Sequence, residues 1–168
     1  LPELFSSLGN GVCKGEGYKP LLFLLGQRNI GMDFIILEDR LEDLNFLPTI
    51  DWDLVDLGDY KAHTWHVLGK EERAPYGIVY SSLGCVYNCS FCSVNMIPKQ
   101  YKKVNIDKFI SELEGLVKRG VRYIEIIDDL FTVDTQRVQQ ICQAIIDRQF
   151  DIDAWCYGKV GRVDYKTL

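Results

Sequence analysis

The stretch LGCVYNCSFCSV places three cysteines, Cys85, Cys89 and Cys92, in the spacing C-x3-C-x2-C. Thiolates are ligands for zinc and for iron–sulfur clusters. A disulfide that closes a loop of only two or three residues gains little stability and is usually strained. The three cysteines therefore indicate metal ligation in a reducing compartment rather than a secreted disulfide framework.

The number of thiols in this stretch bears on which metal it would hold. A structural zinc usually has four protein ligands, and the chain contains no second C-x2-C pair. A fourth ligand could come from outside the stretch: His63, His66, Cys142 or Cys156. Three thiolates on a four-iron cluster would instead leave one iron open to a small molecule. The sequence is therefore consistent with either kind of metal site.

Strands and helices alternate in the second part of the chain. The β-rich run Tyr76–Leu83 leads directly into the cysteines, and Val121–Ile127 and Asp151–Gly158 predict two further strands. Between the first two runs, apolar residues at helical spacing predict a helix that begins at Ile106 and stops at Gly120. Alternation of this kind indicates parallel βαβ units and hence an α/β fold.

A second helix is predicted after the second strand. Thr132 or Asp134 could cap it. Its core face would consist of Val138, Ile141, Cys142, Ile145 and Ile146. Ligands of such sheets bind beyond the carboxyl ends of the strands, so the cysteines and the pair Asp128 and Asp129 are expected at one edge. Cys156, within the third strand, is expected in the core.

The first part of the chain, 1–75, is irregular. The runs KPLLFLLG and MDFIILEDR could be strands or short buried pieces. The acidic stretch EDLNFLPTIDWDLVDLGDY has no steady apolar period and predicts an extended linker lying on a surface. Its expected anchors are Phe46, Leu47, Trp52 and Leu54.

Charge and hydropathy argue against two classes of partner. Nineteen basic and 24 acidic residues leave a net charge of −5, whereas binding to nucleic acid needs a basic surface. No apolar run approaches the ~20 residues of a membrane span, and no signal peptide opens the chain. We therefore expect a cytoplasmic protein with neither nucleic acid as a partner nor a membrane span.

The cysteine triplet, with Phe91 before its last cysteine and a strand before its first, resembles the radical S-adenosylmethionine superfamily. In that family three cysteines hold a 4Fe–4S cluster, and the amino and carboxylate groups of S-adenosylmethionine chelate the fourth iron. One electron from the cluster cleaves the sulfonium to a 5′-deoxyadenosyl radical, which abstracts a hydrogen from substrate. The resemblance implies that Cys85, Cys89 and Cys92 are the cluster ligands.

The same resemblance implies contacts with the cofactor elsewhere in the chain. IIDDLFTVDTQRV is similar to the family's second-strand segment, so Asp128 and Asp129 would contact the amino group of the methionine moiety. Phe91 would lie beside the adenine and contact it largely through its backbone. Arg162, in GRVD after the third strand, would face the carboxylate. The resemblance identifies no catalytic residue in this chain.

The acidic linker resembles that of cobalamin-dependent members of the family. This implies that 1–75 is a linker with the end of an upstream cobalamin-binding-type domain. It also implies that 76–168 is the first half of a radical S-adenosylmethionine barrel, with three strands. The whole enzyme would methylate or rearrange a small-molecule substrate, with cobalamin as a further cofactor and an electron donor such as flavodoxin or ferredoxin. The fragment alone is expected to lack substrate specificity.

Two other functions are also consistent with the sequence. A methylthiotransferase-like radical enzyme without cobalamin would carry the same three cysteines. A zinc-binding interaction module without catalysis would need a fourth ligand from elsewhere. The metal that the protein binds distinguishes the module from either enzyme.

Overall fold

The computed structural model describes residues 2–5, 8–9, 11–26, 35–39, 41–63, 74–96 and 101–165. The chain divides into two compact units, unit 1 (Leu1–Glu42) and unit 2 (Asp43–Leu168). Across the described ranges, the helices are all too short or too polar to cross a membrane.

Unit 1 is built on one βαβ element. Strand β1 (Gly11–Gly15) pairs in parallel with β2 (Ile35–Asp39), and helix α1 (Tyr18–Gly26) lies between them in sequence. A short 3-10 turn, Pro2–Phe5, precedes β1. The run MDFIILEDR thus contains a strand, but the prediction for KPLLFLLG is wrong because it is helical. Leucine is a strong helix former, and this preference decides the conformation of a run without clear periodicity.

Unit 2 consists mainly of strands alternating with helices. Its elements are β3 (Tyr76–Val79), β4 (Ser82–Leu83), β5 (Lys102–Lys103), α2 (Ile106–Lys118), β6 (Tyr123–Ile126), α3 (Thr135–Asp147) and β7 (Asp153–Cys156). Strands β3, β6 and β7 form a parallel sheet in that order. The predicted α/β fold with parallel βαβ units is therefore confirmed. The sheet is open over the described residues, which is compatible with part of a barrel.

The core of unit 2 lies between this sheet and α2. Four side chains of α2 are fully buried: Phe109, Ile110, Leu113 and Leu116. Gly77 of β3 faces them, and a Cβ at Gly77 would lie 2.8 Å from Cδ1 of Leu116. A side chain at this position would therefore push the helix away from the strand. Val79 and Ile126 are buried on the same side.

Helix α3 begins at an aspartate cap. The carboxylate of Asp134 accepts a hydrogen bond from the backbone N of Arg137 at 3.1 Å, which confirms one of the two predicted caps. This bond, with Lys103 nearby, holds the pKa of Asp134 below its ordinary value. Val138 and Ile141 are buried as predicted.

The predicted core face of α3 is wrong at two positions. Cys142 is exposed, and the side chain of Ile146 is 65% exposed. Strand β7 is the last strand of the sheet in the described part of the chain. Val138 and Ile141 therefore cover the sheet, whereas Cys142 and Ile146 extend past it.

The acidic segment 43–63 is organised by local turns. Asp43, Asp51 and Asp56 each begin a 3-10 turn, and each carboxylate accepts a hydrogen bond from the backbone N two residues on. The turns are Leu44–Phe46, Trp52–Leu54 and Leu57–Asp59. The aspartates of this segment thus serve as turn residues, a role for which Asp is favoured.

Helix α2 holds the start of this segment. Lys108 donates through Nζ to the carbonyls of Asn45 and Leu47, and both carboxylate oxygens of Glu112 accept from the backbone N of Ile50. Burial raises the pKa of Glu112, although the Ile50 hydrogen bond and Lys108 oppose the rise. The segment therefore lies against the helix along its first turns.

Two of the predicted anchors of this segment are wrong. The side chains of Phe46 and Leu54 are 74% and 80% exposed, whereas Leu47 and Trp52 are half-buried. The side chains that fill the core here are Leu44, Leu57 and Ala62. The first and third turns each bury one leucine, whereas the turn Trp52–Leu54 buries none of its residues.

Candidate functional site

The three cysteines lie on a loop whose two ends are joined. Strand β4 pairs antiparallel with β5, with Ser82 opposite Lys103 and Leu83 opposite Lys102. The described residues between these strands, 84–96 and 101, are called the cysteine loop below. The predicted strand Tyr76–Leu83 is thus two strands, because β3 leaves the parallel sheet at Val79 and the chain turns into the loop. The base of the loop is closed by hydrogen bonds before the cysteines begin.

The thiols of Cys85, Cys89 and Cys92 are reduced and half-exposed. The backbone N of Cys92 donates to the carbonyl of Cys89 at 3.1 Å, so a turn connects the last two cysteines. A 3-10 turn, Ser93–Met96, follows them. The three side chains are therefore within reach of a group that approaches the loop from solvent.

A single metal ion and a four-iron cluster need different arrangements of the three thiolates. Among the described residues, no three or more His, Cys, Asp or Glu side chains are placed to hold one metal ion. A four-iron cluster takes each thiolate on a different iron, so its ligands surround a cube and need not converge on one point. Three half-exposed thiols on one loop fit such a cluster by their number, chemistry and accessibility.

The proposed fourth ligands do not join the loop. His63 is exposed, Cys142 is exposed on α3, and Cys156 is half-buried in β7. None of these three forms a metal-ligating group with the loop cysteines in the part of the chain that is described. His66 lies outside the described residues.

The carboxylate of Asp128 is buried against the base of the cysteine loop, with 1% of the residue exposed. Its Oδ1 accepts from the backbone N of Ser81 at 2.6 Å and of Ser82 at 3.0 Å. Its Oδ2 accepts from the hydroxyls of Ser81 at 2.6 Å and of Ser82 at 2.7 Å. Both oxygens are thus used within the protein. The predicted cofactor contact of Asp128 stays a prediction.

Asp129 reaches the same loop from the exposed side. Its Oδ2 accepts a hydrogen bond from the backbone N of Gly84 at 2.7 Å. Gly84 has φ of 84°, a left-handed conformation that glycine adopts without steric cost. The end of β6 and the start of the cysteine loop therefore meet, as the shared-edge argument predicted.

The segment after β7 reaches the cysteine loop as well. Nζ of Lys159 lies 3.4 Å from the ring centroid of Tyr87, and Cζ of Arg162 lies 5.6 Å from it. Both cations thus form cation–π contacts with this ring, and they bring positive charge to the loop. The structure thus brings Asp129, Arg162 and the cysteines together, and it leaves Phe91 on the loop with its side chain 91% exposed.

Several residues of this site were missed by the sequence reasoning: Ser81, Ser82, Tyr87, Arg137 and Lys159. One signal could have identified Ser81. The alternation that buries Gly77 and Val79 continues to Ser81, as that of Ile124 and Ile126 continues to Asp128. A hydroxyl and a carboxylate that continue the buried faces of adjacent strands are candidates for a buried hydrogen bond.

Cys156, in β7, lines a cavity of about 350 Å³ under α3 that Cys142 also lines. The expectation that Cys156 is in the core is met in part, because the residue is half-buried on the last strand of the described sheet. Burial, then the charge of Asp128, raises the pKa of the Cys156 thiol to about 11. Cys156 is therefore a poor nucleophile at neutral pH.

Alkylation should separate Cys156 from exposed thiols. In the metal-free chain at pH 8, we expect iodoacetamide to modify Cys156 about 100-fold more slowly than Cys13, since the thiolate is the reactive form. Peptide mass spectrometry over time measures both rates in one sample, and the difference should vanish in urea. Equal rates in the folded chain would contradict the burial of Cys156.

Comparison with known proteins gives distant relatives. The chain is 27% identical to an uncharacterized methyltransferase of Pyrococcus horikoshii over 165 residues, which is 97% of this chain and 34% of the relative. It is 30% identical to the ribosomal protein uS12 methylthiotransferase of Parabacteroides distasonis over 55% of this chain and 23% of the relative. No family model matches the chain.

A third relative is the anaerobic magnesium-protoporphyrin IX monomethyl ester cyclase of Cereibacter sphaeroides, 26% identical over 58% of this chain and 15% of the relative. The chain thus spans about a third or less of the length of these curated relatives. All three are named as enzymes. The chain is therefore distantly related to part of several enzymes, two of which are transferases by name.

Proposed function

We propose that this chain is the cluster-binding part of a radical S-adenosylmethionine enzyme. The observation that carries the proposal is the C-x3-C-x2-C loop, whose base is bonded to the carboxyl end of β6 and whose Tyr87 contacts the segment after β7. Open α/β sheets bind their ligands at this edge. Similarity to parts of a methyltransferase, a methylthiotransferase and an anaerobic cyclase supports an enzyme of this kind.

Cys85, Cys89 and Cys92 would hold a 4Fe–4S cluster. When bound, the cluster supplies the electron that reductively cleaves S-adenosylmethionine to a 5′-deoxyadenosyl radical. The protein contributes the three thiolates on a loop with a fixed base, and it orients the cofactor. The half-exposed thiols would be accessible from solvent to the iron and sulfide of the cluster.

The residues around the loop suit the parts of S-adenosylmethionine. Phe91 presents an exposed ring beside which the adenine could lie. Asp129, an exposed carboxylate beside Gly84, would accept hydrogen bonds from the cofactor's ammonium group. Arg162, with Lys159, would pair with its carboxylate. Each assignment pairs opposite charges or flat rings.

We further propose methyl transfer or rearrangement on a small-molecule substrate, with cobalamin bound by an upstream domain. The methyltransferase relative aligns with 97% of the chain, whereas the methylthiotransferase and the cyclase align with 55% and 58%. Unit 1 is a βαβ element whose helix exposes Leu21, Leu22, Phe23 and Leu25. A helix apolar on its exposed side is typical of one buried in a larger domain.

The electron for reductive cleavage would come from a donor such as flavodoxin or ferredoxin. Methylthio transfer without cobalamin is the second candidate reaction, because a relative named for that activity matches 100 residues at 30% identity. A reducing interior such as the cytoplasm suits either reaction, because both depend on reduced thiols.

Anaerobic reconstitution of the full-length protein with iron and sulfide tests the proposal. We expect a brown protein with broad absorbance near ~400 nm, as iron–thiolate clusters give. With dithionite and S-adenosylmethionine, it should release 5′-deoxyadenosine and methionine, measured by liquid chromatography and mass spectrometry. A colourless protein with one zinc per chain would contradict the proposal and support a non-catalytic zinc module.

A further inference from the structure

We propose that Asp128 is a positioning residue, which fixes the base of the cysteine loop through Ser81 and Ser82. This inference rests on the proposed function, in which the cysteine loop binds the cluster. Four donors converge on one buried carboxylate, two backbone N–H groups and two hydroxyls, at 2.6 to 3.0 Å. A carboxylate offers about four acceptor positions, and all of them are used here.

Because Asp128 is buried, losing its hydrogen bonds would be costly. Only 1% of Asp128, of Ser81 and of Ser82 is exposed, so water does not replace a lost partner easily. A buried donor without an acceptor carries its full desolvation cost. The loop base is therefore held in one conformation by the acceptor oxygens of this one side chain.

The carbonyl of Ser81 is fixed as well. It accepts from the backbone N of Val104 at 2.9 Å and from Nη2 of Arg137 at 3.1 Å. The same Nη2 donates to the carbonyl of Val104 at 2.6 Å. Ser81 precedes the cysteine loop and Val104 follows it, so Arg137 joins its two ends. Every backbone polar group of Ser81 is bonded at this junction.

Asp128 and Asp129 therefore have different roles, although they are adjacent. Asp128 continues the buried face of β6 after Ile124 and Ile126, and its oxygens are used by the protein. Asp129 is exposed and lies on the side of Gly84. Of the two carboxylates that the resemblance assigned to the cofactor, we assign cofactor contact to Asp129 and loop positioning to Asp128.

Two substitutions separate positioning from cofactor contact. In Asp128→Asn, the amide oxygen accepts from both backbone N–H groups, and the amide nitrogen donates to the two hydroxyl oxygens. We expect its iron content after reconstitution to stay within about twofold of the unchanged protein, with S-adenosylmethionine binding retained. In Asp128→Ala, four buried donors lose their acceptor, and we expect iron content to fall about fivefold or more.

A measurement without the cluster tests the same role. Hydrogen exchange of the Ser81 and Ser82 amides in the metal-free protein should accelerate about tenfold or more in Asp128→Ala and less than about threefold in Asp128→Asn. The double variant Ser81→Ala with Ser82→Ala removes only the hydroxyl bonds and should fall between them, which keeps the test valid should Asp128→Ala not fold. Asp151→Ala, an exposed partner of Arg122, should change neither readout.

The outcomes are distinguishable. Unchanged amide exchange in Asp128→Ala would overturn the positioning role. Normal iron loading with loss of S-adenosylmethionine binding in Asp128→Asn would also overturn it and make Asp128 a cofactor contact. An unchanged protein that takes up no iron while Asp128→Ala still accelerates exchange would contradict the proposed function and leave the positioning of the loop established.

Discussion

Replacing Cys89 with alanine is expected to reduce the iron bound after anaerobic reconstitution by more than about tenfold and to abolish S-adenosylmethionine cleavage. The reason is the ligand count. The loop offers three thiolates, and no other His, Cys, Asp or Glu side chain of the described residues joins them to replace one. Iron and sulfide analysis, with absorbance near ~400 nm, measures the loss.

Cys142→Ala provides the matched control, because it makes the same substitution at an exposed cysteine on α3 outside the loop. We expect it to bind as much iron as the unchanged protein. Undiminished iron in both Cys89→Ala and Cys142→Ala would show that Cys89 is not a ligand, and the cluster assignment would then be wrong. Low iron in both would indicate a general defect in folding or reconstitution.

The part of the fold that the sequence predicts best is the part with a clear period. The strands near Tyr76, Tyr123 and Asp153 and both long helices of unit 2 follow from apolar spacing and from the Asp134 cap. The meeting of the cysteine loop with the end of β6 follows from parallel topology, since carboxyl ends of parallel strands share one edge. Gly84 and Asp129 make that contact.

What the sequence did not predict depends on neighbours that are distant along the chain. Which side of the sheet Asp128 faces is a matter of strand alternation, but its four donors come from residues 46 and 47 positions earlier. The exposure of Ile146 depends on where the sheet ends. The arrangement of Tyr87 with Lys159 and Arg162 joins two loops whose geometry no local pattern encodes.

Phe109→Ala is expected to have the largest effect on stability, a loss of about 3–5 kcal/mol in the free energy of unfolding. Phe109 is fully buried on α2, beside Ile110 and Leu113. Its truncation removes apolar burial and leaves a cavity that closely packed neighbours fill only in part. Domains are typically stable by only about 5–15 kcal/mol, so urea unfolding followed by circular dichroism should show a much lower midpoint.

Phe91→Ala makes the same substitution on a side chain that is 91% exposed, and it should change the free energy of unfolding by less than about 0.5 kcal/mol. For S-adenosylmethionine affinity we expect the reverse order, with the larger effect in Phe91→Ala. Phe91→Ala should weaken S-adenosylmethionine binding in a stable protein, because the ring proposed to lie beside the adenine is lost. Phe109→Ala should leave affinity nearly unchanged in the molecules that remain folded. Equal unfolding midpoints for the two variants would contradict the packing of α2 on the sheet.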